Sequence, residues 1–286
     1  MRSVLVLGST GTVGQEVSKL LIQNGVEVRG ATRDASSHPV EGVIPVRLDL
    51  QDETTFDDAL GAAEGVFVMS PPGYAAAHRL LRPFLERALA LPSLRRIVTM
   101  SAQGVDADDA IPLRQVELQV EGSGRPWVHL RPSWFHQNFH TFWGHGVRQL
   151  GQIRLPAEDA RVGFIDARDI AASACAALLA EEEKVVGRAF TLTGPEALTH
   201  GEAAAVLGEA TGRNIAYASI SDEEFRRDLA PSGLPEDYIA LLSALFEAVR
   251  HGSASQITGH VHELTGQAPR PLQAYAHDFK ESLRPE

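Results

Sequence analysis

The chain has 286 residues, 44% of them hydrophobic and 22% charged, with 26 Lys and Arg against 37 Asp and Glu for a formal net charge of -11. That length buries a sizeable core, as one large domain or one domain with a smaller lobe, and the acidic balance argues against a nucleic-acid backbone as the main partner, which needs a basic face. A single cysteine excludes an intramolecular disulfide, and no apolar run reaches the roughly 18 residues that span a bilayer, so the chain reads as a soluble, cytoplasmic protein with no membrane partner.

Residues 3–7, SVLVL, carry a continuous apolar run from Val4 to Leu7, which predicts a strand buried on both faces. A loop with Gly8, Gly11 and Gly14 follows, and then a helix over 13–25, where Val13, Val17, Leu20 and Leu21 share a face and Gly25 ends it. Strands are predicted at 26–33 and 42–50, a helix at 53–61, a strand at 65–70 and a helix at 75–91. A strand at 95–101, a helix at 112–124 and a strand at 127–132 complete the first half. Repeated strand–helix units with right-handed crossovers give an α/β fold, a doubly wound parallel sheet of the Rossmann type.

The second half is less regular. Residues 161–180 read as a short strand, a turn and a helix capped by Asp166 or Asp169. Cys175 lies in that helix, in an apolar run that suits a buried, inert thiol. A strand is predicted at 188–194, and beyond it the chain is mainly helical, with one strand near 214–221. The expected division is 1–194 for the dinucleotide-binding domain and 195–286 for a smaller, mainly helical lobe. Residues 136–160 contribute to that second lobe.

The glycine loop carries the first chemistry. Gly8 permits a tight turn out of the strand, Gly11 lets backbone approach a pyrophosphate, and Gly14 lets the helix pack close. The helix N-terminus then offers free N–H groups to phosphates. Gly8, Thr10, Gly11, Thr12, Val13 and Gly14 are therefore the expected phosphate cradle. Arg33 stands where the second strand ends. An acidic residue there would suit the ribose 2′-OH of NAD, whereas an arginine suits the 2′-phosphate of NADP. NADP(H) is the preferred cofactor, with NAD(H) as the alternative. Asp49 follows the third strand and either accepts from the adenine amino group, with Leu50 beside it, or simply forms a turn. Ser70 and Pro71 end the fourth strand, as a wall beneath ribose and nicotinamide or as a rigid turn.

Trp134, Phe135, Phe139, Phe142 and Trp143 fall at near-helical spacing. They read either as core or as the lining of a pocket for a flat, apolar small molecule. His136 and His140 are four apart; one of them could donate a proton to substrate. No acidic residue stands near them in sequence to complete a ligand set, and no metal is expected.

Taken together, GSTGTVG, the Arg33 position, LDLQD, RIVTMSAQG and LRPSWFHQNF resemble the NmrA-like, atypical short-chain dehydrogenase/reductase family. The RPSWF…NF segment is similar to its counterpart in ergot-alkaloid-type reductases. The resemblance implies an extended NAD(P)-binding domain and a small substrate lobe. It places Ser101, Pro132, Ser133 and Phe135 on the cofactor side. Dehydrogenases of the superfamily use Ser, Tyr and Lys, the last two four apart. Ser101 matches the serine region, but the helix at 112–124 has neither tyrosine nor lysine. Glu117 is its nearest inward-capable ionisable residue, one turn beyond Arg114. Ser101, Glu117 and His136 are the catalytic candidates. The reading is an NADPH-dependent reductase of an activated acceptor, an imine or iminium, quinone or enone, working without the Tyr and Lys pair. The alternatives are a non-catalytic NAD(P)-binding redox sensor, or non-redox chemistry or partner binding on the same fold. Oligomeric state is not legible.

Overall fold

The computed structural model describes residues 1–285. Two compact units emerge. The first comprises residues 1–132, 167–191 and 263–266; the second comprises 133–166, 192–262 and 267–286.

The first unit is a seven-stranded sheet with strand order β3-β2-β1-β4-β5-β6-β8. Its strands are β1 (Ser3–Val6), β2 (Glu27–Thr32), β3 (Ile44–Arg47), β4 (Gly65–Met69), β5 (Arg96–Met100) and β6 (Trp127–Pro132), with β8 (Arg188–Leu192) at the far edge. The ladders β1–β2, β1–β4, β2–β3, β4–β5 and β5–β6 are all parallel. The order reverses between β1 and β4, which is the switch point where open α/β sheets bind ligands. Helices α1 (Thr12–Gln23), α2 (Phe56–Leu60), α3 (Ala77–Leu89), α4 (Pro112–Glu121), α5 (Ala167–Leu179) and the short α6 (Glu182–Val185) make the crossovers and edges.

Burial explains why the strands stay put. Val4, Leu5, Val6, Val66, Phe67, Ile97 and Val98 are all fully buried. Each such side chain contributes about 1.5–3 kcal/mol on leaving water. On one face Leu5, Val66 and Ile97 join Phe56, Leu81, Phe84 and Val116 in one cluster, with Phe56 and Phe84 edge to face at 5.5 Å. On the other face α1 packs against α5. Cys175 of α5 is buried, and burial pushes its thiol up to about 11, as expected of an inert core cysteine. Arg96 ties the start of β5 to the end of α5. Its guanidinium donates to the carbonyls of Ala177 at 2.6 Å, Leu178 at 3.3 Å and Ala180 at 2.9 Å. Those are carbonyls that a helix C-terminus leaves unpaired.

The second unit carries a two-stranded parallel ladder, β7 (Gln152–Leu155) with β9 (Ala216–Ser219). Helices α7 (His200–Thr211), α8 (Asp222–Leu229), α9 (Glu236–Arg250) and α11 (Leu272–Asp278) surround it, and α10 (His260–Thr265) straddles the last boundary between the units. Capping boxes start α7, from Thr199 to Glu202, and α8, from Ser221 to Glu224. The core is aromatic, with Phe139, Phe164, Phe225, Phe246 and Tyr275 buried together.

Two local expectations need correction. Residues 161–165 form no strand, only isolated bridges of Val162 to Leu198 and of Phe135 to Ile165. The segment 136–160 instead hides β7, whose four residues are too short to show a period. The second unit thus takes in all of 133–166, a wider stretch than 136–160, while 263–266 returns to the first unit. No helix among the described residues is long and apolar enough to cross a membrane.

Candidate functional site

The chain leaves β1 through Gly8, at φ +63°, a left-handed conformation that favours glycine. A Cβ there would also meet Met69 Sδ at 2.6 Å. The Gly8 carbonyl accepts from Gly11 N at 2.9 Å, closing the turn. Gly14 has a harder constraint: its Cβ would lie 2.1 Å from Gly8 O and 2.6 Å from Gly8 C. The close approach is thus of the helix to the loop's own backbone. Gly11 differs from both. Its φ is -87° and its Cβ would meet only Gly8 O, at 3.2 Å. Packing barely requires a glycine at 11; closeness to a ligand would. Ser9 Oγ anchors the loop to Ala31 O at 2.9 Å, and Gln15 Nε2 holds Thr10 O at 2.8 Å. Val13 is buried while Thr10 and Thr12 are exposed. The first turn of α1 holds no acidic residue and Gly11 supplies no side-chain cap. Its N–H groups are therefore ready for an anion.

Arg33 follows β2 directly, exposed and without a hydrogen-bond or ion-pair partner among the described residues. Asp49 Oδ1 accepts from Gln51 N at 3.0 Å, and its own N–H donates to Thr55 Oγ1 at 3.1 Å. One of its oxygens is thus spent on a turn. Leu50, Ser70 and Pro71 are half-buried, and Ser70 Oγ donates to Pro71 O at 3.3 Å.

Ser101 directly follows β5, its N–H bonded to Leu130 O at 2.7 Å. Its Oγ is buried and makes no well-formed hydrogen bond. Beneath it lies a charged network that the sequence only hinted at. Glu117, fully buried on α4, accepts from Arg131 Nε at 3.0 Å and Nη2 at 2.7 Å, and from Arg114 Nη1 at 2.8 Å. Arg131 also reaches Asp106 at 2.6 Å, and Arg114 reaches Glu121 at 2.5 Å and Asp109 at 3.2 Å. Burial would raise the Glu117 carboxyl, but Arg131, His129, Arg114 and the nearby Ser101 hydroxyl together hold it below the usual range. It is therefore an anion at neutral pH and no proton donor. His129, stacked on Trp127 at 4.3 Å and bonded to Thr99 through Nδ1, is pushed down to about 4 by burial. Glu117, Glu121 and His129 lie close enough to share a cation. The Arg114 guanidinium bonds both carboxylates and already takes a cation's place.

Pro132 ends β6, and its carbonyl accepts from Gln103 N at 3.0 Å. The remaining candidates lie in the second unit. Ser133 N donates to Leu192 O, and the Ser133 hydroxyl is buried without a partner. Half-buried Phe135 bridges to Ile165. His136 is 1% exposed, with Nδ1 3.8 Å from Asp166 Oδ2, while Asp166 Oδ1 accepts from Gln137 Nε2 at 2.9 Å. Residues 136–139 form a 3-10 turn, which scatters the aromatic cluster. Phe139 is core, Trp134 and Trp143 are partly buried against it, and Phe142 is 61% exposed. His136 and His140 do turn toward one ring, that of Tyr275, and His140 Nδ1 bonds the Tyr275 hydroxyl at 2.6 Å.

Arg131, Asp106 and Glu121 were missed from sequence. A signal existed: Arg114, Glu117 and Glu121 share a helical face, and Arg131 interrupts an otherwise buried strand.

A family model described as NAD(P)H-binding matches residues 8–182, and one described as the NmrA-like family matches 114–275. The chain is 33% identical over 274 residues to the uncharacterized oxidoreductase YesF of Bacillus subtilis, covering 96% of this chain and 93% of that one. It is 30% identical over 289 residues to agroclavine dehydrogenase of Claviceps fusiformis, covering 97% of each. Among solved structures, the NADPH-dependent quinone oxidoreductase QOR2 of Escherichia coli, complexed with NADPH, aligns with TM-score 0.82 at 20% identity, over 96% of this chain and 99% of that one. Glycine loop, sheet order and both matched spans agree: the chain belongs to the NmrA-like family of NAD(P)H-binding proteins, an atypical branch of the short-chain dehydrogenase/reductases.

Proposed function

We propose that the protein is an NADPH-dependent reductase of small, already activated acceptors: imines or iminium ions, quinones or enones. The observation that carries this reading is the state of Glu117. It occupies the helix where a Tyr and Lys pair would act, yet Arg131 and Arg114 hold it anionic. With no acid of neutral-pH strength beside Ser101, general acid catalysis is weak. The acceptor must bring its own electrophilicity. The glycine loop and the α1 N-terminus would hold the pyrophosphate, and unpaired Arg33 would take the 2′-phosphate. Bound NADPH supplies a hydride, and rate then rests on orientation. Ser101 would orient the ligand and Glu117 would keep that corner fixed. An iminium needs no proton after hydride arrives; a neutral imine, a quinone or an enone draws its one proton from solvent. The dehydrogenase and quinone-reductase names of the proteins it resembles support this chemical class.

The test is calorimetric titration with NADPH, NADP+, NADH and NAD+, followed by turnover with a quinone, a cyclic iminium and an enone. Tightest binding of NADPH with turnover of at least one acceptor is expected. Arg33→Asp should weaken NADPH far more than NADH. Tighter binding of oxidised forms, with no turnover, would assign the redox-sensor role instead.

A further inference from the structure

The loop between β2 and β3 holds a polar group that the cofactor reading leaves unused. His38 Nδ1 accepts from Val40 N at 3.1 Å, so a neutral ring carries its proton on Nε2. That Nε2 is buried and has no partner. The ring lies against Gly30 of β2. A Cβ at residue 30 would meet His38 Cδ2 at 3.1 Å, Ser9 Oγ at 3.0 Å and Val43 Cγ1 at 2.5 Å. Gly30 has no positive φ to explain it. Its missing side chain is the space into which the histidine and the glycine-loop serine converge. Cδ2 is bonded to Nε2, so an unpaired N–H sits next to the phosphate-cradling loop. Arg33 lies five residues earlier in the same segment. The acid nearest Arg33 in sequence, Asp34, is turned back on its own loop, where Oδ1 accepts from Ser36 N at 3.0 Å. The Ser9 hydroxyl is spent as a donor on Ala31 O. Buried N–H groups in native proteins are paired, and one without a protein partner calls for another.

We propose that His38 Nε2 donates to the 2′-phosphate of NADP(H), as a second donor beside Arg33. This deepens the NADP(H) reading above and rests on it. The chemistry fits: a phosphate offers three acceptor oxygens, of which one guanidinium engages two. The 2′-OH of NAD(H) offers a single oxygen. His38 therefore sets selectivity between the cofactors rather than affinity for both.

The test compares wild type with His38→Asn and His38→Gln in titrations with NADPH, NADH, 2′,5′-ADP and 5′-AMP. Asparagine keeps an acceptor for Val40 N but loses reach; glutamine restores a donor near the Nε2 position. His38→Asn should weaken NADPH and 2′,5′-ADP about tenfold, with NADH and 5′-AMP changed less than about twofold. His38→Gln should recover part of the loss. Equal weakening of all four ligands would assign a loop-shaping role and overturn the proposal, as would an unchanged ratio of NADPH to NADH in a wild type that prefers NADPH. A wild type with no preference for the 2′-phosphate would instead remove the NADP(H) reading itself.

Discussion

His200 opens α7 with its ring 1% exposed and both ring nitrogens unpaired. Its neighbours are rings: Phe164 at 5.2 Å, Tyr217 at 5.5 Å, Trp143 at 5.7 Å and Phe246 at 6.4 Å. None carries a charge at neutral pH, and burial alone pushes His200 down to about 4. In the unfolded chain the same group titrates near 6.5. Above pH 6.5 both states are neutral and nothing is lost. As the pH falls below 6.5, the unfolded chain takes up a proton that the folded chain refuses, and stability drops until the pH passes 4. Each pKa unit is 1.36 kcal/mol, so the loss is about 2 kcal/mol at pH 5 and about 3 kcal/mol at the limit. The perturbation is His200→Leu, which leaves the Thr199–Glu202 capping box in place. Removing two orphaned nitrogens is expected to leave the protein as stable at pH 7, or more so. Urea unfolding of both proteins at pH 7 and pH 5 isolates the histidine, because salt-bridged carboxylates such as Glu117 weaken equally in each. The variant should lose about 2 kcal/mol less than wild type over that interval. Identical losses would refute the reasoning.

Gly14→Ala should unfold the loop or abolish NADPH binding, because its Cβ meets backbone at 2.1 Å. Gly11→Ala should keep its melting temperature within a few degrees, yet weaken NADPH more than tenfold in calorimetry; a parallel loss of stability would mean that residue 11 is a packing glycine. Arg96→Met should cost about 3 kcal/mol in urea, since three carbonyls at the end of α5 lose their donor. Glu117→Gln should cost about 3–5 kcal/mol, because Arg131 and Arg114 are left buried beside an uncharged amide; a loss below 1 kcal/mol would mean that the network is not a unit.

The sheet was legible because parallel strands covered on both faces carry near-continuous apolar runs, as in VLVL at 4–7, VFVM at 66–69 and the IV of RIVTM. Glycine spacing then fixed where the sheet hands over to α1. What escaped notice depends on partners distant in sequence. β7 is a strand because β9 lies beside it; by itself, QIRL has only two apolar residues to alternate. Nothing local to RRIVTM singles out Arg96, whose role becomes visible only when the end of α5 is brought to it. The aromatic run from Trp134 to Trp143 suggested one helical face. The 3-10 turn ends at Phe139, and the chain beyond it does not continue one helical face, so Phe139 lies in core while Phe142 is exposed.

The site divides along the same line. Residues that act through backbone geometry, such as Gly8 and Gly14, announce themselves locally, because a left-handed turn or a close approach admits little else. Those that act through charge pairing do not. Glu117 could be read in isolation as an acid poised for proton transfer. Only Arg131, fourteen residues on, and Arg114, three before, decide that it stays ionised. A carboxylate fixed between two guanidiniums stabilises geometry and gives up no proton. On the reductase reading proposed above, the departure from the Tyr and Lys pattern would move the burden of activation from the protein to its acceptor.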